Sequence, residues 1–169
     1  MKRSLKVTGL ILLISVILLM LPLAVLRVLG CEAYSVISGS MEPSVPVNSL
    51  VVVRHADPLE ISAGDVVAFR AGDTVIIHRV VTNLRETHEL TTKGDANIRE
   101  DLGKVMYRDV IGKAVFHIND MGLFFEYLSG TKGKIYLSIA AATGVVLYTL
   151  SSFMDKTGKE NGAERHDPV

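Results

Sequence analysis

Asp65-Val66-Val67-Ala68-Phe69-Arg70-Ala71-Gly72-Asp73-Thr74-Val75-Ile76-Ile77-His78-Arg79-Val80-Val81-Thr82 reads as two β-type runs joined by a tight connection. Val, Ile, Phe and Thr fill both arms, and Ala71-Gly72-Asp73 between them is hairpin chemistry. Working outward, Leu50-Val51-Val52-Val53-Arg54 precedes the pair, and residues 88–93 and 110–118 follow it. Each run is bounded by turn residues, and every connection is short. No helical stripe interrupts them before Gly122. The sequence therefore predicts a mainly β domain over residues 32–130, a small antiparallel β-barrel or folded sheet.

Two apolar runs flank that domain. Val7 to Leu26 carries no charge and is dominated by Leu, Ile and Val. Twenty residues suffice to cross about 30 Å of hydrocarbon as a helix. We read residues 7–28 as a transmembrane anchor and 1–6 as a cytoplasmic N-terminus, because Lys2, Arg3 and Lys6 precede the run. A cleaved signal peptide is the competing reading. Its apolar region would be longer than such peptides carry, and no small-x-small site precedes Arg27. A second uncharged run, Ile135 to Met154, places another membrane helix at 134–154. Its centre, Ala140-Ala141-Ala142-Thr143-Gly144, is small enough to admit a close helix neighbour, the first span among the candidates. The stretch 121–127 is apolar and aromatic and suits a bilayer surface. Residues 155–169 read as a polar, disordered tail.

Composition narrows the function classes. Eighteen basic residues balance eighteen acidic ones, and no basic stripe suggests nucleic acid. The single cysteine, Cys31, excludes an intrachain disulfide and reads as packing. Val28-Leu29-Gly30-Cys31 loosely resembles a lipoprotein motif, but Arg27 beside it argues against one. His55, His88, His117 and His166 lack ligand spacing with acids or cysteine, so no metal is expected.

Chemistry-bearing residues concentrate in three places. Ser38-Gly39-Ser40-Met41-Glu42-Pro43 sets two hydroxyls around a glycine, a turn that exposes a hydroxyl. Met41 and Pro43 are apolar and would touch lipid or shape a cleft. His78 lies in the hairpin, and a neutral imidazole suits a general base. Asp95 and Asp101 follow in Lys93-Gly94-Asp95-Ala96-Asn97-Ile98-Arg99-Glu100-Asp101. A serine hydroxyl needs a base in reach, and the base gains from an orienting acid. Spacing alone leaves both aspartates open for that role. Lys93 is an alternative base, for a Ser–Lys dyad.

The blocks Ser38–Pro43, Gly64-Asp65-Val66-Val67, Ile77-His78-Arg79-Val80 and Thr92-Lys93-Gly94-Asp95-Ala96-Asn97 together resemble type I signal peptidases, peptidase family S26, in the family's order. The likeness covers roughly residues 34–118. Histidine at position 78, where the bacterial enzymes carry lysine, is similar to the archaeal and endoplasmic-reticulum type, and to a minority found in Gram-positive spore formers. The resemblance implies a membrane-bound serine endopeptidase that removes signal peptides from secretory preproteins after small residues at −3 and −1. It implies Ser40 as nucleophile, His78 as base, Asp101 as orienter, and Asp95 as a further important acid. Ser38 and the Ser40 backbone N–H would form the oxyanion hole. No cofactor is implied. The implied partners are secretory preproteins, the lipid bilayer and, as a candidate, the protein translocation channel. The implied location is the cell membrane, with two spans and an extracytoplasmic catalytic domain. The competing readings are a non-catalytic membrane-anchored β domain that scaffolds exported proteins, and an autoprotease related to Ser–Lys repressors.

Overall fold

Both faces of the central strand are covered. Val67 and Ala68, adjacent in sequence and hence on opposite faces, are each fully buried. The computed structural model describes residues 2–163. Its β unit spans residues 25–128, and a separate helical unit comprises, among the described residues, 2–24 and 129–163.

The β unit carries one seven-stranded antiparallel sheet. Its strands are β1 (Cys31–Ser35), β2 (Leu50–His55), β3 (Val66–Ala71), β4 (Thr74–Leu84), β5 (Glu89–Lys93), β6 (Val105–Met106) and β7 (Val110–Ile118). The spatial order is β1-β2-β7-β3-β4-β5-β6. The mainly β, folded-sheet reading holds. The sequence missed the two edge strands. Cys-Glu-Ala-Tyr-Ser shows no clean alternation, and β6 is only two residues long. Each edge pairs on one side only, so neither needs a fully apolar run.

Register breaks bend the sheet. One extra residue is accommodated between Val52 and Val53 against β7, between Ala68 and Phe69, and between Val80 and Thr82. Such bulges sharpen local twist and re-aim side chains. The apolar residues on the two faces form two clusters. One contains Met41, Val45, Val51, Val53, Ala68 and Ile111; the other contains Ile61, Val67, Phe69, Val80, Leu90 and Val105.

A short helix α2 (Gly122–Ser129) follows β7. Its Gly122 N–H donates to Asn48 O at 2.8 Å, and a Cβ on Gly122 would sit 2.8 Å from that oxygen. Glycine is what allows the approach. Leu128 is buried, whereas Leu123, Phe124 and Tyr127 are exposed.

The helical unit consists of most of α1 (Lys2–Val28) and of α3 (Thr131–Ala163). Arg3–Val28 and Thr131–Met154 are long and apolar enough to cross a membrane. Their backbones meet at two glycines. A Cβ on Gly9 would lie 2.8 Å from Gly144 O, and one on Gly144 would lie 3.1 Å from Gly9 O. Close approach through small residues is how apolar helices pack without a hydrophobic driving force. The helix α3 continues to Ala163, so the polar stretch expected to be disordered from 155 begins as helix. Once nucleated, a helix adds residues at little further cost. Residues 164–169 of that stretch lie outside the described residues.

Candidate active site

Ser40 sits in a loop whose neck is closed by backbone bonds. Val36 N–H donates to Ser49 O at 2.9 Å, and Asn48 N–H donates to Val36 O at 2.8 Å. Within the loop, Glu42 N–H reaches Gly39 O and Val45 N–H reaches Met41 O. Met41 is 2% exposed and belongs to the first apolar cluster. The reading of Met41 as touching lipid is thus corrected. Burying its side chain removes apolar surface from water and pins the backbone next to Ser40. Pro43 is exposed.

The other side of the loop is held by the segment after β5. Ala96 N–H donates to Ser40 O at 2.9 Å. A Cβ on Gly94 would come within 2.5 Å of that same oxygen, so only glycine fits there. The Gly-Asp block therefore braces the serine loop through backbone contacts.

His78 is 8% exposed, on the face of β4 that also carries Val80. It pairs opposite Val67, and the Phe69 ring meets it edge-on at 6.4 Å. Its Nε2 is 3.0 Å from Ser40 Oγ, and its Nδ1 is 2.6 Å from Asp101 Oδ2. An ionised carboxylate only accepts, so Nδ1 carries the proton and Nε2 offers its lone pair to the serine hydroxyl. Among the described residues, the basic side chain bonded to Ser40 is His78 rather than Lys93. Ser38 Oγ lies 3.4 Å from Ser40 Oγ and is exposed.

Asp95 goes elsewhere. It accepts from Arg79 Nε at 2.8 Å and from Arg79 Nη2 at 2.6 Å, a two-pronged pair. Arg79 Nη1 also donates to Gly64 O at 2.8 Å. His78 and Arg79 are consecutive in a strand, so their side chains leave opposite faces, and each meets its own aspartate. The Arg79 hydrogen bonds hold the Asp95 carboxyl below the usual aspartate range, against a smaller opposing effect of burial; Ser44 and the charge of Arg79 add to the lowering. The same pairing raises Arg79 above its ordinary value.

The chain of contacts Ser40–His78–Asp101 is one in which a hydroxyl can lose its proton to a ring whose far side rests on a carboxylate. Residues 7–85 match the family described as signal peptidase, peptidase S26. Over about half of its length the chain is similar to signal peptidases. It is 37% identical over 87 residues to "Signal peptidase I W" of Bacillus subtilis, covering 49% of this chain and 46% of that protein. It is 33% identical over 106 residues to "Signal peptidase complex catalytic subunit SEC11" of Fusarium vanettenii, covering 56% of this chain and 62% of that protein. The alignments thus span about half to three-fifths of these curated relatives. The family match includes Ser40 and His78 and stops before Asp95 and Asp101. Those two carboxylates are tied to the site by geometry.

Two residues that the sequence reading left unassigned to the site also touch it. Ser44 bonds Asp95. Thr92 donates to Asp101 Oδ2 at 2.7 Å. The signal for Thr92 was a threonine beside Leu90 and Thr91 in a short strand, where a buried hydroxyl demands a partner.

Proposed function

We propose that this chain is a membrane-anchored serine endopeptidase that removes N-terminal signal peptides from secretory preproteins. The observation that carries the reading is the continuous contact from Ser40 Oγ through His78 to Asp101, at 3.0 and 2.6 Å, in a chain similar to signal peptidases. Ser40 is the nucleophile, His78 the general base and Asp101 the orienter. Asp95 acts through Arg79 to hold the surrounding loops.

The substrate's extended segment, with small residues at −3 and −1, adds as a strand to the enzyme's sheet. His78 Nε2 takes the Ser40 proton as Oγ attacks the carbonyl carbon of the −1 residue. The oxyanion is met by the Ser38 hydroxyl and the Ser40 N–H. One such donor is worth about 10²–10³ in rate. The imidazolium then gives its proton to the leaving amine, and the peptide C–N bond breaks. Water, deprotonated by His78, releases the acyl group and restores Ser40. The first span holds the N-terminus in the cytoplasm, the second returns the chain, and the β unit faces the extracytoplasmic side. The preprotein, the bilayer and the translocation channel are the partners this reading names.

The test is cleavage of a model preprotein by the full chain in lipid or detergent, beside Ser40→Ala and His78→Ala. Each variant should lose cleavage while keeping its thermal melt. Full activity in both variants would overturn the mechanism. An acylating probe that labels Ser40 in the wild type separates the enzyme from a non-catalytic scaffold.

A further inference from the structure

Thr92 is fully buried near the end of β5, opposite Val80 on the face that carries His78. A buried hydroxyl is costly unless it is bonded. Its bond goes to another segment of the chain, to Asp101 Oδ2 at 2.7 Å. That oxygen is the one facing His78 Nδ1 at 2.6 Å. A second tie joins the same two residues: Asp101 N–H donates to Thr92 O at 2.9 Å. Thr92 therefore fixes both the backbone and the carboxylate of a residue nine positions along the chain.

The geometry points to Thr92 as the positioning residue that sets the angle of the Asp101 carboxylate, and through it the His78 ring. The inference rests on the proposed roles of Ser40, His78 and Asp101. A carboxylate held only by the histidine can rotate about its own side-chain torsions and carry the ring with it. The Thr92 hydroxyl, donating to the same oxygen from a rigid strand, removes that freedom. Bound geometry counts heavily here, since a misplacement of about 1 Å can cost on the order of 100-fold in rate.

The neighbour supplies a control. Thr91 is also buried in β5, but its hydroxyl accepts from Lys104 Nζ at 2.6 Å, away from the Ser40–His78–Asp101 contacts. The two threonines share chemistry, strand and burial, and differ in which group they hold.

The experiment measures kcat and KM for preprotein cleavage by the full chain and by Thr92→Val, Thr92→Ser and Thr91→Val. Valine keeps the shape and removes the hydroxyl. Thr92→Val should lower kcat by about 10–100-fold with KM within about twofold. Thr92→Ser should restore most of that rate, and Thr91→Val should keep the wild-type kcat. If valine prevents folding, Thr92→Ala removes the hydroxyl without forcing a methyl into its place. The inference is overturned if Thr92→Val retains wild-type kcat. It is equally overturned if serine fails to rescue and the loss tracks the melting temperature, because Thr92 then only packs. Failure of the underlying reading looks different: Ser40→Ala would cleave as the wild type does.

Discussion

Asp95 and Asp101 stand six residues apart on one loop, yet they serve different neighbours. Asp101 meets an imidazole that is nearly enclosed, on the face that leads to Ser40. Asp95 meets a guanidinium whose side chain is 37% exposed, on the opposite face. The contrast comes from β4, which turns consecutive residues His78 and Arg79 to opposite sides. One carboxylate rests against a ring that can exchange a proton, and the other against a permanent cation. The first arrangement suits chemistry, and the second suits bracing.

The largest expected effect breaks the first arrangement. Asp101→Asn should lower kcat by about 10³–10⁴-fold, since an amide favours the wrong ring tautomer. Its melting temperature should stay near the wild-type value, and steady-state cleavage together with a thermal melt reads both. Asp95→Asn should show the reverse balance. It strands the Arg79 charge and should cost about 1–3 kcal/mol of stability, with a smaller loss of kcat. A larger kcat loss from Asp95→Asn than from Asp101→Asn would exchange the two assignments.

Acid sharpens the same contrast. Asp95 has a lowered carboxyl pKa in the fold, chiefly because Arg79 bonds its charged form. Its stabilisation is complete above the unfolded aspartate value, about 3.9, and is lost as pH falls through the lower folded value. Melting temperatures followed below about pH 4 should therefore fall less steeply in Asp95→Asn than in the wild type. The smallest effect concerns Lys113, 2.6 Å from Asp65. Lys113 is 46% exposed, so Lys113→Met should change stability by less than about 1 kcal/mol. A larger loss in a denaturant melt would show that pair to be more than a surface contact.

Much of this was legible in the chain. The five interior strands announce themselves by β-branched runs between turn residues. Edge strands did not, because one-sided pairing asks little of the sequence. Ser40, His78 and the two aspartates stood out by residue type, but no spacing rule could divide the aspartates. That division depends on which face of β4 each partner leaves, and on a loop that folds back. The burial of Met41 was not legible because a lone apolar residue in a turn has no periodicity to reveal its direction. Thr92 was passed over because threonine is ordinary in a strand, and only the buried hydroxyl gives it away.

The double tie between Thr92 and Asp101 has a consequence for chain length. It closes the intervening segment at its neck, and contacts with Ser40 and Arg79 fix residues 94–96. What remains is the tip around Ile98, whose side chain is 95% exposed. Residues added there would enlarge a loop that is already closed. Each doubling of loop length costs only about 0.6 kcal/mol of entropy, and neither anchor of the carboxylate has to move. The tip is therefore the part of the site's own loop where relatives can differ in length, or where a tag can be grafted, without changing the distance from Asp101 to His78.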